Sequence, residues 1–372
     1  MAKIILVTEK ANQTSWQLAE ALRSQQHEVI FLTSHGESVE DTHGIEFMGY
    51  FKKWNLLEGL RIIPGLFGLQ PQILHLLLEE DKLNTAQMML ATFAKSHPAC
   101  ILTTSLLNIR RGLKRTNPVR YLVEESDIIT CPTIETLGQL RGLNTRSPRQ
   151  GRGILPPVLN LAGQTTESGE NIEAVSNLIE QWKDKPFFLV PFNEPGFDPD
   201  SEYFDHLRAL VQKNPVILWG SYSHWPLRER KKLAAWFESF GQGQSWGVTG
   251  SLSATDCREL MEKCEALVLA GQTYSPIDIT EFYFRAIQTK CSLILDSRQA
   301  SVHSALWRNA VNCWIVDARH LQRDLIKLLT RPHFKLPEVL SETIEHDRQV
   351  IDGSLNELNR LYSRALTQKN WR

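Results

Sequence analysis

Short apolar segments alternate with segments of helical periodicity in two separate runs of this sequence. The first run opens with an apolar segment at residues 3–8 (KIILVT), a helical segment, and a second apolar segment at residues 28–33. Strands buried on both faces of a parallel sheet read as continuous apolar runs, and successive parallel strands need a helical crossover. The alternation therefore predicts a doubly wound α/β sheet.

A second run of the same kind follows residues 160–172, a polar segment rich in Gly, Ser and Thr that is typical of a linker. Its apolar segments include residues 187–190, 216–219 and 292–295. Two runs around one linker predict two Rossmann-like domains that face each other across a cleft. We expect an N-terminal domain (residues 1–160), a C-terminal domain (residues 173–340) and a final helix (residues 341–372) that packs back on the first domain.

Composition places the chain among ordinary globular proteins. Of its 372 residues, 42% are hydrophobic and 22% charged, and the formal net charge of −1 gives no indication of nucleic-acid binding.

The six cysteines form no CxxC pair, so we expect reduced and mostly buried thiols and no metal site. No segment approaches the ~20 apolar residues of a membrane-spanning helix, and the apolar start is too short for a signal peptide. We expect a cytoplasmic protein.

The second run resembles the nucleotide-sugar-binding domain of the GT-B glycosyltransferases, and among them the retaining family 4. The resemblance rests on segments that stand in the family's order, residues 216–220 (VILWG), 246–250 (WGVTG), 256–269 (DCRELMEKCEALVL) and 281–296 (EFYFRAIQTKCSLILD). It implies a GT-B fold, a nucleotide-sugar donor on the second domain, an acceptor on the first, and no cofactor or metal.

The resemblance also shows where this chain departs from the family. The family holds the donor diphosphate with an Arg and a Lys after the first strand of the second domain, whereas residues 191–200 (PFNEPGFDPD) contain no cation and three acidic residues. The second Glu of a family pair falls on Arg285, one helical turn after Glu281. The resemblance thus makes Glu281 and Arg285 the catalytic candidates, with Arg285 or Arg298 as the missing cation. A surface ion pair is the alternative for Glu281 and Arg285.

The remaining candidates lie at predicted carboxyl ends of strands, where ligands of such sheets bind. The predicted donor site comprises Asn193, Gly220, Ser221, Ser223, Tyr274 and Arg298. Its segment 220–224 (GSYSH) either cradles an anion with its amides or forms a plain turn. The predicted acceptor side comprises Asn12, Gln13, Thr14 and Ser105, the last at the place where the family has a His. Thr14 or Ser15 explains the first of these segments equally well as a helix N-cap.

Two segments carry cations of a kind that peripheral membrane proteins use. Residues 51–67 mix basic side chains with Trp, Leu, Ile and Phe, and residues 110–115 (RRGLKR) form a compact basic cluster. They predict contact with the inner face of a membrane through apolar insertion and attraction to anionic lipid. In the alternative, Leu56, Leu60 and Ile63 pack on the sheet.

The sequence is compatible with two functions. The first is a glycosyltransferase that moves a sugar from a nucleotide-sugar donor to a glycan or lipid-linked acceptor. The second is an inactive pseudo-glycosyltransferase that binds a protein partner or a glycan, indicated by the acidic segment 193–200 and the absent His. A sugar-nucleotide epimerase of related shape is disfavoured, because the sequence has no separate set of acid and base carboxylates.

Overall fold

The computed structural model describes residues 1–9, 13–35, 45–78, 83–107, 118–140, 150–155, 180, 187–191, 210, 215–220, 227–238, 246–248, 254–271, 274, 276–301, 304–329 and 340–370. The chain divides into two compact units. Unit 1 comprises Met1–Asn160, Ser275–Ile277 and Asp347–Arg372, and unit 2 comprises Leu161–Tyr274 and Asp278–His346. The predicted linker at residues 160–172 lies outside the described residues.

Unit 1 is built on a seven-stranded sheet in the order β3-β2-β1-β4-β5-β6-β7, and every strand pair is parallel. Its strands are β1 (Lys3–Val7), β2 (Glu28–Ser34), β3 (Glu46–Phe51), β4 (Ile73–Leu78), β5 (Ile101–Leu106), β6 (Ile128–Cys131) and β7 (Gly151–Ile154). Its helices are α1 (Gln13–Ser24), α2 (Leu56–Leu69), α3 (Thr85–Ser96), α4 (Pro118–Glu125) and α5 (Ile134–Gln139). The alternation confirms the predicted parallel sheet, although β3 was not predicted.

Helices cover both faces of this sheet. Along β1, Ile5 and Val7 belong to one buried cluster, which also contains residues of α2, α3 and α4. The alternate residues Ile4 and Leu6 belong to a second cluster, which contains residues of α1. The last helix of the chain completes that second cluster with Leu358, Leu361 and Tyr362. The final helix therefore packs on the first domain, as predicted.

Unit 2 is built on a six-stranded parallel sheet in the order β10-β9-β8-β11-β12-β13. Its strands are β8 (Phe188–Pro191), β9 (Val216–Trp219), β10 (Trp246–Val248), β11 (Ala266–Val268), β12 (Ser292–Asp296) and β13 (Trp314–Val316). The helices that follow α5 among the described residues are α6 (Leu227–Glu238), α7 (Ala254–Lys263), α8 (Pro276–Gln288), α9 (Leu321–Leu329) and α10 (Leu340–Asn370). The first residues of α8 and most of α10 belong to unit 1.

The two sheets share one strand order. In each, the first three strands run outwards in one direction and the fourth returns to pair with the first, which is the Rossmann order 3-2-1-4-5-6. This confirms the prediction of two Rossmann-like domains. No described helix combines the length and the apolar character that crossing a membrane requires.

A buried chain of polar side chains links the centre of the first sheet to α10. His75 lies in the middle of β4 and is fully buried, with Nε2 at 2.5 Å from Ser105 Oγ and Nδ1 at 2.7 Å from the Tyr362 hydroxyl. Ser105 Oγ lies in turn 2.5 Å from Thr130 Oγ1. Burial lowers the pKa of His75 from 6.5 to about 3, so the imidazole is neutral and both its nitrogens are occupied.

This burial predicts a pH-dependent stability. Below pH 6.5 the unfolded chain binds a proton at His75 that the folded chain does not bind until about pH 3, so falling pH favours unfolding within this window. His75→Gln removes the titrating group, and we expect its urea midpoint to fall less than that of the wild type between pH 7 and pH 5. The contribution of His75 to the pH dependence of the free energy of unfolding approaches about 1.4 kcal/mol per pH unit. Parallel pH curves for the two proteins would contradict the prediction.

Candidate functional site

The carboxyl ends of the unit 2 strands form the candidate site. All strands of this sheet are parallel, so these ends lie at one edge. The strand order reverses between β8 and β11, whose last residues are Pro191 and Val268. Ligands of doubly wound sheets bind at such a reversal, because the loops of the two neighbouring strands diverge there and leave a crevice.

Three aromatic side chains meet beside this reversal. The Tyr274 hydroxyl donates a hydrogen bond of 2.7 Å to the carbonyl oxygen of Pro191, so the chain after β11 is tied to the end of β8. The Tyr274 ring packs edge-on against Phe282 at 5.4 Å, and Phe282 packs edge-on against Trp219, the last residue of β9, at 5.5 Å. Tyr274 and Trp219 are both partly exposed, so each ring offers apolar surface at this edge.

A buried carboxylate organises the ends of β11 and β12. Asp296, the last residue of β12, is fully buried, and its Oδ1 accepts from the backbone N–H groups of Arg298 at 2.8 Å and Gln299 at 3.1 Å. Its Oδ2 accepts from the backbone N–H of Gly271 at 2.9 Å. Gly271 has a φ of 92°, a conformation that favours glycine. The Gln299 side chain adds a bond of 2.6 Å to the Leu269 carbonyl oxygen, so the two strand ends form one hydrogen-bonded unit.

Asp296 also positions a cation at this edge. Arg298 Nη2 lies 3.2 Å from Asp296 Oδ2, and the Arg298 side chain is 67% exposed. One side of the guanidinium is anchored while the rest faces solvent, which suits it to bind a phosphate group through several N–H donors. The predicted cation Arg298 therefore lies at the carboxyl edge.

The next strand ends in the same pattern. Asp317 follows β13 and accepts hydrogen bonds from the backbone N–H of Arg319 at 2.9 Å and from its guanidinium at 3.3 Å. These bonds, of which the backbone bond has the largest effect, lower the pKa of Asp317 to about 2. Unlike Asp296, this carboxylate is partly exposed, so its ion pair is largely solvated.

The predicted catalytic residue Arg285 lies on α8, and its guanidinium contacts another helix. Arg285 Nη1 is 3.5 Å from the sulfur of Cys257 on α7. Glu281 lies on the same helix, and its side chain is outside the described part of the structure. No described contact tests the ion pair between Glu281 and Arg285.

The other predicted donor-site residues are only partly described. Gly220 directly follows β9 and is buried. Three further residues lie outside the described residues: Asn193, Ser221 and Ser223. At the carboxyl edge, the described part of the predicted donor site thus comprises Gly220, Tyr274 and Arg298.

The predicted acceptor side maps to unit 1 and needs one correction. Ser105 is fully buried, and its hydroxyl bonds His75 and Thr130, so it is a core residue and not a surface for an acceptor. Asn12 and the basic cluster 110–115 lie outside the described residues. Helix α1 begins at Gln13, which places Thr14 and Ser15 inside its first turn and not at the N-cap.

The carboxyl edge of the first sheet contains a carboxylate that the sequence did not single out. Glu9 follows β1, and its side chain accepts a hydrogen bond from the Asn84 side chain, which caps α3 after β4. This bond spans the point where the first sheet reverses its strand order. The backbone carbonyl of Glu9 accepts from Ser34 Oγ, which also accepts from Trp54 Nε1 at 2.9 Å.

Sequence reasoning also missed Asp296, Gln299 and Trp219. The sequence does contain a usable signal, because an apolar segment is followed twice by Asp, any residue, and Arg, at residues 296–298 and 317–319.

Among the described residues, no group of three or more His, Cys, Asp or Glu side chains is placed to hold a metal ion.

Comparisons with known proteins connect this chain to others by structure and not by sequence. No protein-family model matches the chain, and no curated protein matches it in sequence. A glycosyltransferase of Rickettsia africae superimposes with a TM-score of 0.69 over 98% of both chains at 12% identity. HepE of Anabaena, solved in complex with UDP and glucose, gives 0.65 over 95% of this chain and 99% of its own, also at 12% identity.

Sucrose-phosphate synthase of Thermosynechococcus elongatus gives a TM-score of 0.62 over 99% of this chain and 100% of its own, at 12% identity. At such identity the likeness shows the fold, and it confirms the predicted GT-B fold. The retaining course and membership of family 4 stay predictions.

Removal of the Asp296 carboxylate will test how much of this edge depends on it. Asp296→Ala leaves three backbone N–H groups without their acceptor, and we expect it to lower the free energy of unfolding by about 3–5 kcal/mol. Asp317→Ala is the matched control at the next strand end, with a much smaller expected loss because its bonds are solvated. Urea unfolding followed by circular dichroism measures both, and equal losses would contradict the prediction.

Proposed function

We propose that this chain is a glycosyltransferase that moves a sugar from a nucleotide-sugar donor to a glycan or lipid-linked acceptor. The observation that carries the proposal is the exposed Arg298 guanidinium, anchored by the buried Asp296 at the carboxyl edge of a Rossmann-type sheet. The GT-B fold supports it, as does the content of one similar structure, HepE with UDP and glucose.

Arg298 compensates the charge of the donor diphosphate in this proposal. When the bond from the sugar to the diphosphate breaks, negative charge collects on the leaving phosphate oxygens, and N–H donors that are already oriented stabilise it. Asp296 orients the guanidinium before the donor arrives, so little reorganisation is needed on binding. Gly271 is partly exposed and lacks a side chain, which lets a phosphate approach the backbone at the end of β11.

Trp219 and Tyr274 supply the apolar contacts of the same site. Both rings are partly exposed and are held in place by Phe282 between them. The face of such a ring binds a nucleobase or the apolar face of a sugar. Retention of the anomeric configuration, in the manner of family 4, is part of the proposal.

The contact of Arg285 with Cys257 favours a second candidate function. In the family, a Glu at this position grasps the donor ribose, whereas this Arg packs toward α7 through its guanidinium. A chain with this replacement retains the scaffold without the family's ribose contact. The second candidate is therefore an inactive pseudo-glycosyltransferase that binds a protein partner or a glycan.

Titration calorimetry with UDP, and with UDP-, GDP- and ADP-sugars, tests donor binding. We expect one nucleotide sugar to bind, and Arg298→Ala to weaken it about 10- to 100-fold, since a hydrogen bond to a charged group contributes about 1.5–3 kcal/mol. The matched control is Arg258→Ala on α7, whose guanidinium pairs with Glu262 at 2.8 Å and which should leave the affinity unchanged.

The outcomes separate the two functions. Binding together with release of the nucleoside diphosphate in the presence of an acceptor supports the transferase. Binding without turnover, for every acceptor class, supports the inactive protein. If no nucleotide or nucleotide sugar binds at millimolar concentration, the donor site proposed here is wrong.

We further propose that helix α2 brings the chain to the inner face of a membrane, where a lipid-linked acceptor resides. Gly59, Ile62 and Leu66 form its buried face. The helix also carries apolar side chains that are 47–67% exposed: Leu56, Leu57, Leu60 and Phe67. Leu56 and Leu60 therefore do not pack on the sheet, contrary to the alternative drawn from the sequence, whereas Ile63 is partly buried against the core.

Exposed cations accompany these apolar side chains. Lys52 and Lys53 precede the helix and Arg61 lies on it, all of them exposed. Apolar insertion combined with attraction to anionic headgroups is the physical basis of interfacial helices.

Vesicle sedimentation tests this second proposal. The double variant Leu57→Gln and Leu60→Gln should bind vesicles that contain phosphatidylglycerol at least about tenfold more weakly than the wild type, since each leucine contributes roughly 1 kcal/mol or more on insertion. Leu227→Gln is the matched control, because Leu227 is 61% exposed on α6 in unit 2. Equal binding of all three proteins would contradict a role for α2.

A further inference from the structure

Two thiols of unit 2 lie in direct contact. The sulfur atoms of Cys264 and Cys291 are 3.2 Å apart, although the residues are 27 positions apart in sequence. All six cysteines of the chain are described, and all are free thiols. Neither Cys264 nor Cys291 belongs to the candidate donor site, since both precede the strands whose far ends form it.

The fold places this pair through two equivalent turns. Cys264 follows α7 and precedes β11, and its N–H bonds the Leu260 carbonyl oxygen at 2.9 Å. Cys291 follows α8 and precedes β12, after Lys290 at a φ of 56°, and its N–H bonds the Ala286 carbonyl oxygen at 2.9 Å. Because β11 and β12 are paired with Ala266 opposite Ser292, the two turns lie side by side.

The two thiols differ in access to solvent. Cys291 is partly exposed, whereas Cys264 and the other four cysteines are buried. Burial raises the pKa of the Cys264 thiol well above its usual range. A soluble oxidant therefore meets Cys291 first, and Cys264 is the thiol that completes the reaction.

We propose that Cys264 and Cys291 form a reversible disulfide, which makes this end of unit 2 a modification site for thiol oxidants of the peroxide class. The Cys291 thiolate attacks a peroxide oxygen and becomes a sulfenic acid, and hydrogen peroxide leaves as hydroxide, which takes up a proton to give water. The Cys264 sulfur then attacks the sulfenic sulfur, forms the S–S bond and expels a second water. Two thiols lose two electrons and two protons, and one peroxide is reduced to two waters.

Only a small movement separates the thiols from this bond. A disulfide needs its sulfurs about 2.05 Å apart, so they must approach by roughly 1 Å from their present 3.2 Å. Each sulfur now also contacts a neighbouring carbonyl oxygen, Met261 O at 3.5 Å for Cys264 and Ser292 O at 3.4 Å for Cys291. These weak contacts are the ones that the bond replaces.

Peptide mapping of the native, full-length protein tests the proposal without any variant. The protein is treated with hydrogen peroxide in slight molar excess, alkylated under denaturing conditions, digested without reductant and analysed by mass spectrometry. We expect a peptide pair linked through Cys264 and Cys291 with a mass about 2 Da below the sum of the two thiol peptides, lost after treatment with dithiothreitol. If Cys291 is instead recovered as sulfinic acid or as an intermolecular dimer, and no linked pair forms, the proposal is overturned.

Variants and a dithiol probe provide an independent test. Cys264→Ala should leave Cys291 as a sulfenic acid that dimedone traps, and Cys291→Ser should abolish the linked peptide. Cys313→Ser removes a buried cysteine and serves as the matched control, with the linked peptide retained. Phenylarsine oxide, which bridges two adjacent thiols, should bind the reduced wild type at least about tenfold more tightly than Cys291→Ser. Equal binding would overturn the proposal.

Discussion

Both sheets of this protein are entirely parallel, and a parallel sheet has to be covered on both faces. Along β1 the side chains alternate between two separate buried clusters, Ile5 and Val7 in one, Ile4 and Leu6 in the other. Helices α2, α3 and α4 contribute to the first cluster. The second cluster is formed by α1 together with the last helix, which contributes Leu361 and Tyr362. The end of the chain therefore packs into the core that its beginning forms.

The same constraint determines where the candidate site of unit 2 lies. Crossover helices return each strand to the same starting edge, so loops of neighbouring strands meet only at the opposite, carboxyl edge. A charged side chain buried there needs hydrogen-bond donors in place of water, and Asp296 obtains them from the backbone at Gly271, Arg298 and Gln299. The bonds that satisfy a buried charge thereby also determine the position of an exposed Arg.

The parts of the fold that follow from continuous apolar segments were predictable from the sequence. The strand at residues 216–219 was predicted with the bounds that the structure has. Strand β3 (EFMGYF) was missed, because it lies at the edge of its sheet and is only partly buried, so its residues are not uniformly apolar.

The environment of a candidate site residue depends on contacts between side chains that are far apart in sequence, and no local pattern contains them. Ser105 was misread because its partner His75 lies 30 residues away in sequence, and the partner of His75, Tyr362, lies 287 residues away.

The fold and the candidate donor site of this protein depend on different residues, and on very different numbers of them. Among the described residues, 77 apolar side chains are buried, so replacing any one of them by another of similar size changes little of the architecture. The candidate donor site, by contrast, depends on a few side chains at the strand ends. Arg285 on α8 illustrates how the fold accommodates a single polar side chain, since its guanidinium lies 3.5 Å from the sulfur of Cys257 on α7. The fold can therefore persist while side chains at the strand ends change, and at this edge the buried Asp296 anchors the exposed Arg298.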